Sequence, residues 1–134
     1  MSEFNKKVIQ EFRANQGKVG GHFEGMDLLL VHTTGAKSGK LRINPTAYAK
    51  DGGHPFIIAS KGGADTHPDW YHNLVANPNV IVELGEETFT AVAEVAQEPE
   101  RTELYRKMAS KYPMFAEYEE RADRIIPVVK LIRG

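Results

Sequence analysis

Leu28-Leu29-Leu30-Val31-His32-Thr33-Thr34-Gly35-Ala36-Lys37-Ser38-Gly39-Lys40-Leu41-Arg42 runs from an aliphatic, β-branched stretch into a basic turn bounded by glycines. The apolar run is too short for a helix and its residue types fit a pleated core, so it reads as a buried strand over residues 28–34 that stops at Gly35. Beyond the turn, strands are predicted over residues 42–50 and 55–60, separated by Asp51-Gly52-Gly53. Residues 80–84 and 88–95 flank Gly85-Glu86 as a further hairpin, and Pro127 leads into a last strand over 128–132.

Helices are predicted around this core. Phe4, Val8, Ile9 and Phe12 recur at helical spacing over about residues 3–15, giving an amphipathic N-terminal element, taken as residues 1–17, that Gly17, Gly20 and Gly21 end. Thr66-His67-Pro68-Asp69 resembles a capping box with Pro in the first turn, and that helix should stop before Asn77-Pro78. Pro99 opens a helix burying Leu104, Tyr105 and Met108, Tyr112-Pro113 closes it, and a short helix follows over 114–121. Strands dominating the middle with helices inserted between them make an α+β architecture, most economically a small closed barrel of about six strands. A chain of 134 residues without a Pro/Gly/Ser-rich divider fits a single domain, 1–134.

The composition, 41% hydrophobic and 26% charged, excludes a disordered or collagen-like chain. With no cysteine, disulfides, thiolate zinc sites, iron–sulfur clusters and cysteine nucleophiles are all excluded, which suits a cytoplasmic location. No apolar run approaches a membrane span, and Met1-Ser2-Glu3-Phe4 does not begin a secretory signal. The net charge is −1, yet residues 1–61 carry nine Lys/Arg against five Asp/Glu while the remainder carries eight against thirteen. A local cationic patch on an otherwise acidic protein suits a small anion better than a nucleic acid, and no nucleic-acid partner is expected. A solvated basic face accounts for the same charges.

Three segments carry the chemistry. Gly35-Ala36-Lys37-Ser38-Gly39-Lys40 lets consecutive N–H groups form an anion nest, with Lys37, Arg42 and the Ser38 hydroxyl as further donors. It has one residue too few between its glycines for a Walker A loop, and a plain hairpin turn explains it equally. Ala59-Ser60-Lys61-Gly62-Gly63 ends a strand with glycines that permit close backbone approach to a ligand. His67-Pro68-Asp69-Trp70-Tyr71-His72-Asn73-Leu74 starts a helix whose free N–H groups favour an anion, although Trp70 and Leu74 also read as a core face. Five histidines invite a metal, but His67 and His72 on one helix would point about 140° apart, so no metal is expected. Ser38 and Ser60 lack a nucleophile-elbow pattern, so no hydrolytic triad is expected either.

Phe12-Arg13-Ala14-Asn15, Val19-Gly20-Gly21, Thr33-Thr34-Gly35-x-Lys37-Ser38-Gly39-x-x-Arg42-x-x-Pro45, Ala59-Ser60-Lys61-Gly62-Gly63 and His67-Pro68-x-Trp70-Tyr71-x-Asn73-Leu74-x-Ala76-Asn77-Pro78 follow one another in this order. Together they resemble the deazaflavin (F420)-dependent nitroreductase and F420H2-dependent quinone reductase family, over nearly the whole chain. The resemblance implies an FMN-binding split-barrel type of fold and an oxidoreductase that passes hydride from reduced coenzyme F420 to a quinone, or in some members to a nitroaromatic compound. It implies that Lys37, Ser38, Gly39, Arg42, Ser60, Lys61 and Gly62 hold the cofactor's phosphate and tail. Pro45, Ile58 and Ala59 complete the set, and Asp69, Trp70, Tyr71, His72 and Asn73 line the other side. Tyr112, Tyr118 and Ser60 are the substrate-side candidates for catalysis. Ala36 stands where members often carry Arg, and Phe115 where nitro-reducing relatives tend to carry Tyr, which favours quinone reduction. FMN, with one phosphate in a similar nest, is the alternative cofactor, and a non-catalytic F420 carrier the alternative role. Lys6, Lys7, Arg13 and Lys18 beside the apolar N-terminal stripe allow that helix either to pack on the barrel or to cover the substrate opening and rest on an anionic membrane.

Overall fold

The computed structural model describes residues 3–23 and 25–133; Met1, Ser2, Glu24 and Gly134 lie outside the described residues, as does the side chain of His22. The first two residues of the N-terminal element expected over 1–17 therefore fall outside them. The elements are α1 (Glu3–Ala14), β1 (Leu28–Thr34), β2 (Leu41–Asp51), β3 (His54–Ile58), α2 (Asp69–Ala76), β4 (Asn79–Leu84), β5 (Glu87–Val95), α3 (Glu100–Lys111), α4 (Met114–Arg121) and β6 (Val128–Arg133), with single 3₁₀ turns at Gly21–Phe23 and Lys61–Gly63.

All six strands close into an antiparallel barrel in the order β1-β2-β3-β6-β5-β4. Because neighbouring strand residues point to opposite faces, two cores form. Leu29, Val31, Ile57, Val82, Ala93 and Leu131 meet inside the ring, where Trp70 and Leu74 of α2 join them. On the opposite face Leu28, Leu30, Phe56, Ile58 and Val128 pack against Val8, Ile9 and Phe12 of α1, Leu104, Tyr105 and Met108 of α3, and Phe115 of α4. The apolar face of α1 is thus turned onto the barrel. Among the described residues no helix is long and apolar enough to cross a membrane.

Polar anchors fix the outer layer. Glu83 on β4 accepts two hydrogen bonds from Arg13 of α1, at 3.0 and 2.8 Å, and lies 2.6 Å from His32 Nε2 on β1. Buried Arg101 donates to the Ile126 carbonyl at 2.9 Å, and the Tyr105 hydroxyl donates to the Phe115 carbonyl at 2.6 Å. Burial pushes the Tyr105 phenol up to about 12.

Helix α1 ends at Ala14, short of the expected 17, and several strand ends shift by one residue; two further differences have a specific cause. Helix α2 starts at Asp69 and Thr66 does not cap it: Pro68, extended at φ −67° and ψ 153°, occupies the cap position, and the Thr66 hydroxyl accepts a hydrogen bond from Lys61 Nζ at 3.1 Å. Strand β3 ends at Ile58, two residues before Ser60: Ala59 N–H still donates to the Pro127 carbonyl, but Pro127 has no N–H to return the bond, and the chain then turns at Lys61–Gly63. The stop of α2 at Ala76, before Asn77-Pro78, agrees with the expectation.

Candidate functional site

The first turn of α2 stands between two cavities. One, of about 620 Å³, is lined by Gly35, Ala36, Lys37, Ser38 and Arg42 from the β1–β2 region and by Asp69, His72 and Asn73 from α2. Its opposite neighbour, of about 230 Å³, is walled by Pro45, Thr46 and Ala47 of β2, Ile58 of β3, the turn Ser60, Lys61 and Gly62, then Pro68 and Trp70, and Met114, Phe115 and Tyr118 of α4, with Phe23 and Met26 at its edge. Asp69 and Trp70, adjacent in the chain, face different cavities. The residues expected to form one anion site are therefore divided between a cavity with Lys37 and Arg42 on its wall and one walled mainly by apolar and aromatic side chains, with Thr46, Ser60, Lys61 and Tyr118 as its polar points.

The β1–β2 turn is rigid by its own hydrogen bonds. Gly35 N–H donates to the Lys40 carbonyl at 2.7 Å, Gly39 N–H to the Gly35 carbonyl at 2.9 Å, and Lys40 N–H to Ser38 Oγ at 3.2 Å. Asn73 secures it from α2, accepting the Ala36 N–H at 3.0 Å and donating from Nδ2 to Thr33 Oγ1 at 3.3 Å. These bonds commit the N–H groups of Gly35, Ala36, Gly39 and Lys40 within the protein, so an anion nest here would have to use those of Lys37 and Ser38. The exposed side chains of Lys37, Arg42 and Ser38 remain as the donors that face the cavity. Gly39 keeps its place through geometry, since its φ of 71° is a left-handed conformation that glycine adopts without strain, but it lines neither cavity.

At the apolar cavity Lys61, Gly62 and Gly63 have φ of 49°, 65° and 84° in succession. A non-glycine residue held at positive φ needs surrounding structure to hold it. That structure comes from Arg124, a residue the sequence did not mark: Nε donates to the Ala64 carbonyl at 2.9 Å, Nη2 to the carbonyls of Ala59 and Ser60 at 3.1 and 3.0 Å, and Nη1 lies 2.9 Å from His67 Nδ1. Burial lowers the His67 imidazole below its ordinary range, and the charge of Arg124 and the proximity of His72 lower it further. Burial likewise lowers the Arg124 guanidinium.

Three other expected site residues lie off both cavities. Ala59 is fully buried, and the Tyr71 ring packs on His67 at 4.7 Å between centroids. The Tyr112 hydroxyl accepts the Asp27 N–H at 2.7 Å, so this buried phenol supports the chain entering β1. Tyr118 does line the apolar cavity, its hydroxyl 3.5 Å from Met114 Sδ. His67 lies before α2 and not on it, with its ring 5.7 Å from that of His72. Among the described residues no three His, Cys, Asp or Glu side chains are grouped to hold a metal.

The family model of the F420H(2)-dependent quinone reductases matches residues 4–132. The chain belongs to this family. It is 38% identical over 126 residues to an F420H(2)-dependent quinone reductase of Mycobacterium tuberculosis, covering 91% of this chain and 85% of that protein. Among solved structures, an F420-H2 dependent reductase (FDR-A) superimposes with a TM-score of 0.73 at 38% identity, over 84% of this chain and 99% of that one. A domain-swapped dimer superimposes at 0.74 and 32% identity, over 94% of each chain. The heme storage protein HutZ of Vibrio cholerae, at 16% identity and a TM-score of 0.63 over 96% of this chain and 89% of that one, shares the fold. The barrel is of the split-barrel type, and the family is an oxidoreductase family whose cofactor is coenzyme F420.

The residues present fit that group. A phosphodiester with a polyglutamate tail needs cations and hydroxyl donors, which the larger cavity supplies through Lys37, Arg42 and Ser38. A flat aromatic ring system needs apolar and aromatic walls with few polar points, which Trp70, Phe115, Ile58 and Ser60 supply in the smaller one.

Proposed function

We propose that this chain is an F420H2-dependent oxidoreductase that binds the cofactor's phosphate and tail in the cationic cavity and its ring in the apolar cavity, where a quinone-like acceptor meets it. The observation that carries this reading is the division around α2: a donor-rich cavity and an aromatic-walled cavity meet at adjacent residues, Asp69 and Trp70, as a cofactor with a charged end and an apolar end requires. When bound, reduced F420 supplies the hydride.

The protein's own contribution is placement. Lys37 and Arg42 fix the charged end, while the Asn73 contacts keep their turn at a set distance from α2. Trp70, Ile58 and Phe115 exclude water from the space where ring and acceptor stack. Ser60, Thr46 and Tyr118 are the hydroxyl-bearing residues of that wall, and a donor among them would stabilise negative charge on a quinone oxygen. Phe115 offers no phenol at its place in α4, which supports a quinone over a nitro group as acceptor.

Titration of the protein with F420 and with FMN, followed by quenching of Trp70 fluorescence, tests the assignment. F420 is expected to bind at roughly micromolar affinity or tighter, about −8 kcal/mol, and FMN much more weakly. Equal or preferred binding of FMN overturns the cofactor assignment. Absence of menadione-dependent oxidation of F420H2, with F420 binding intact, makes the chain a carrier.

A further inference from the structure

We propose that Arg124 is the positioning residue of the Ser60–Lys61–Gly62 turn, and that His67, as its neutral acceptor, makes the turn's hold on the cofactor weaken on acidification. The proposal rests on the reading of the apolar cavity as the cofactor's ring site.

Geometry carries the first half. Arg124 reaches the carbonyls of Ala59, Ser60 and Ala64, which lie on both sides of the three consecutive positive-φ residues. Its guanidinium supplements the turn's own backbone bonds, Gly63 N–H to the Ser60 carbonyl and Ala64 N–H to the Lys61 carbonyl. Arg124 lines neither cavity, so it acts on a ligand through the turn.

The donor inventory carries the second half. A guanidinium only donates, so the 2.9 Å contact between Nη1 and His67 Nδ1 requires an unprotonated Nδ1. Protonating His67 puts an N–H and a second positive charge against Arg124. Around the pair, His72 and Tyr71 face His67, and Arg121 adds a donor to the Gly62 carbonyl at 3.3 Å, none of them an anion. On the Arg124 side the Asp65 carboxylate, which accepts the Asp123 N–H at 2.9 Å, acts on the guanidinium and offsets part of the added charge, so the acid response is a partial weakening of the turn's hold. His67 is followed directly by Pro68, a wall of the cavity, so a displaced imidazole moves that wall.

The test compares wild type, His67→Asn and Arg124→Gln. Asparagine keeps a neutral acceptor and cannot titrate. In ligand-free protein, amide hydrogen exchange at Gly63 and Ala64 is expected to rise about tenfold or more in R124Q, while the barrel-strand amides keep their protection. Nitrogen-15 spectra of the His67 ring are expected to show the Nε2–H tautomer near neutral pH and protonation below the ordinary imidazole value of 6.5. With F420 and Trp70 quenching, wild-type affinity is expected to weaken several-fold more than that of H67N between about pH 7 and about pH 5. Identical pH dependence in wild type and H67N, or an R124Q turn that exchanges like wild type, overturns the proposal. If R124Q does not fold, the H67N comparison and the ring spectra decide alone. If wild type fails to bind F420 at all, the ring-site reading falls, while the exchange and ring spectra still judge the role of Arg124.

Discussion

Asn73 of α2 holds Ala36 of the β1–β2 turn by its backbone N–H, at 3.0 Å, with the same amide reaching Thr33 at 3.3 Å. One side chain thereby joins the helix that divides the two cavities to the turn that carries Lys37. Asn73→Ala leaves the buried Thr33 hydroxyl and the Ala36 N–H short of partners, so it is expected to cost about 1 to 2 kcal/mol in thermal or denaturant unfolding. Cofactor affinity should fall alongside, and an unchanged Kd would show that the turn is placed without the helix.

The cationic cavity gives a charge prediction. Lys37→Ala and Arg42→Ala should each weaken F420 binding about tenfold or more through loss of a charge-assisted hydrogen bond, and should flatten the decline of affinity with salt. Both side chains are exposed and stability should barely change. Lys61→Ala should behave differently. Lys61 lines the other cavity and donates to Thr66, so its removal should alter the turn more than the salt dependence.

The two tyrosines divide by location. Tyr118→Phe is expected to lower menadione turnover with cofactor affinity retained, since Tyr118 lines the apolar cavity. Tyr112→Phe is expected to lower stability by about 1 kcal/mol, from the lost acceptor for Asp27 N–H, with turnover retained. Measuring kcat and the unfolding midpoint for both variants checks the assignment, and the reverse pattern would exchange their roles.

Much of this was legible in the chain before folding. Strand β1 and helix α4 coincide with the expected segments, because an aliphatic β-branched run and a helical segment bounded by Pro113 leave little choice. The start of α2 departs from the pattern because Thr66-x-x-Asp69 matches a capping box, yet the Thr66 hydroxyl is engaged by Lys61 and Pro68 holds the cap position. Motif reading brought Lys37, Arg42, Asp69 and Asn73 together, yet the split into two cavities depends on how the closed ring sets α2, which local pattern does not encode. Arg124 was illegible for a different reason: three of its partners are backbone carbonyls 60 to 65 positions away, and a carbonyl has no sequence signature.

Acid should loosen the junction of α1 with the barrel. Hydrogen bonding from Arg13, opposed by burial and aided by His32, holds the Glu83 carboxyl below its ordinary 4.5. A depressed folded-state value means that this stabilisation is fully present above the unfolded value and is lost as pH falls through the folded one. Glu83→Gln should therefore be less stable than wild type near neutrality, by about 1 to 2 kcal/mol, and the gap should narrow from about pH 5 to about pH 3. A constant gap across that window would remove Glu83 from the acid response.

Gly63 marks where the turn meets α4. A Cβ there would lie 3.2 Å from Tyr118 Cα and 3.3 Å from its carbonyl oxygen, and the residue has φ of 84°. Gly63→Ala is expected to cost about 1 to 3 kcal/mol and to displace Tyr118 from the apolar cavity. An unfolding midpoint equal to wild type would show that α4 yields without penalty.

The ring is completed by β6, whose Lys130 stands opposite Phe56 of β3 and whose Leu131 stands opposite Ala93 of β5. During synthesis both of those strands leave the ribosome long before their shared neighbour does, each with one unmatched edge. A sheet that formed ahead of β6 would present both of those edges at once, the place where a second polypeptide could pair in its stead.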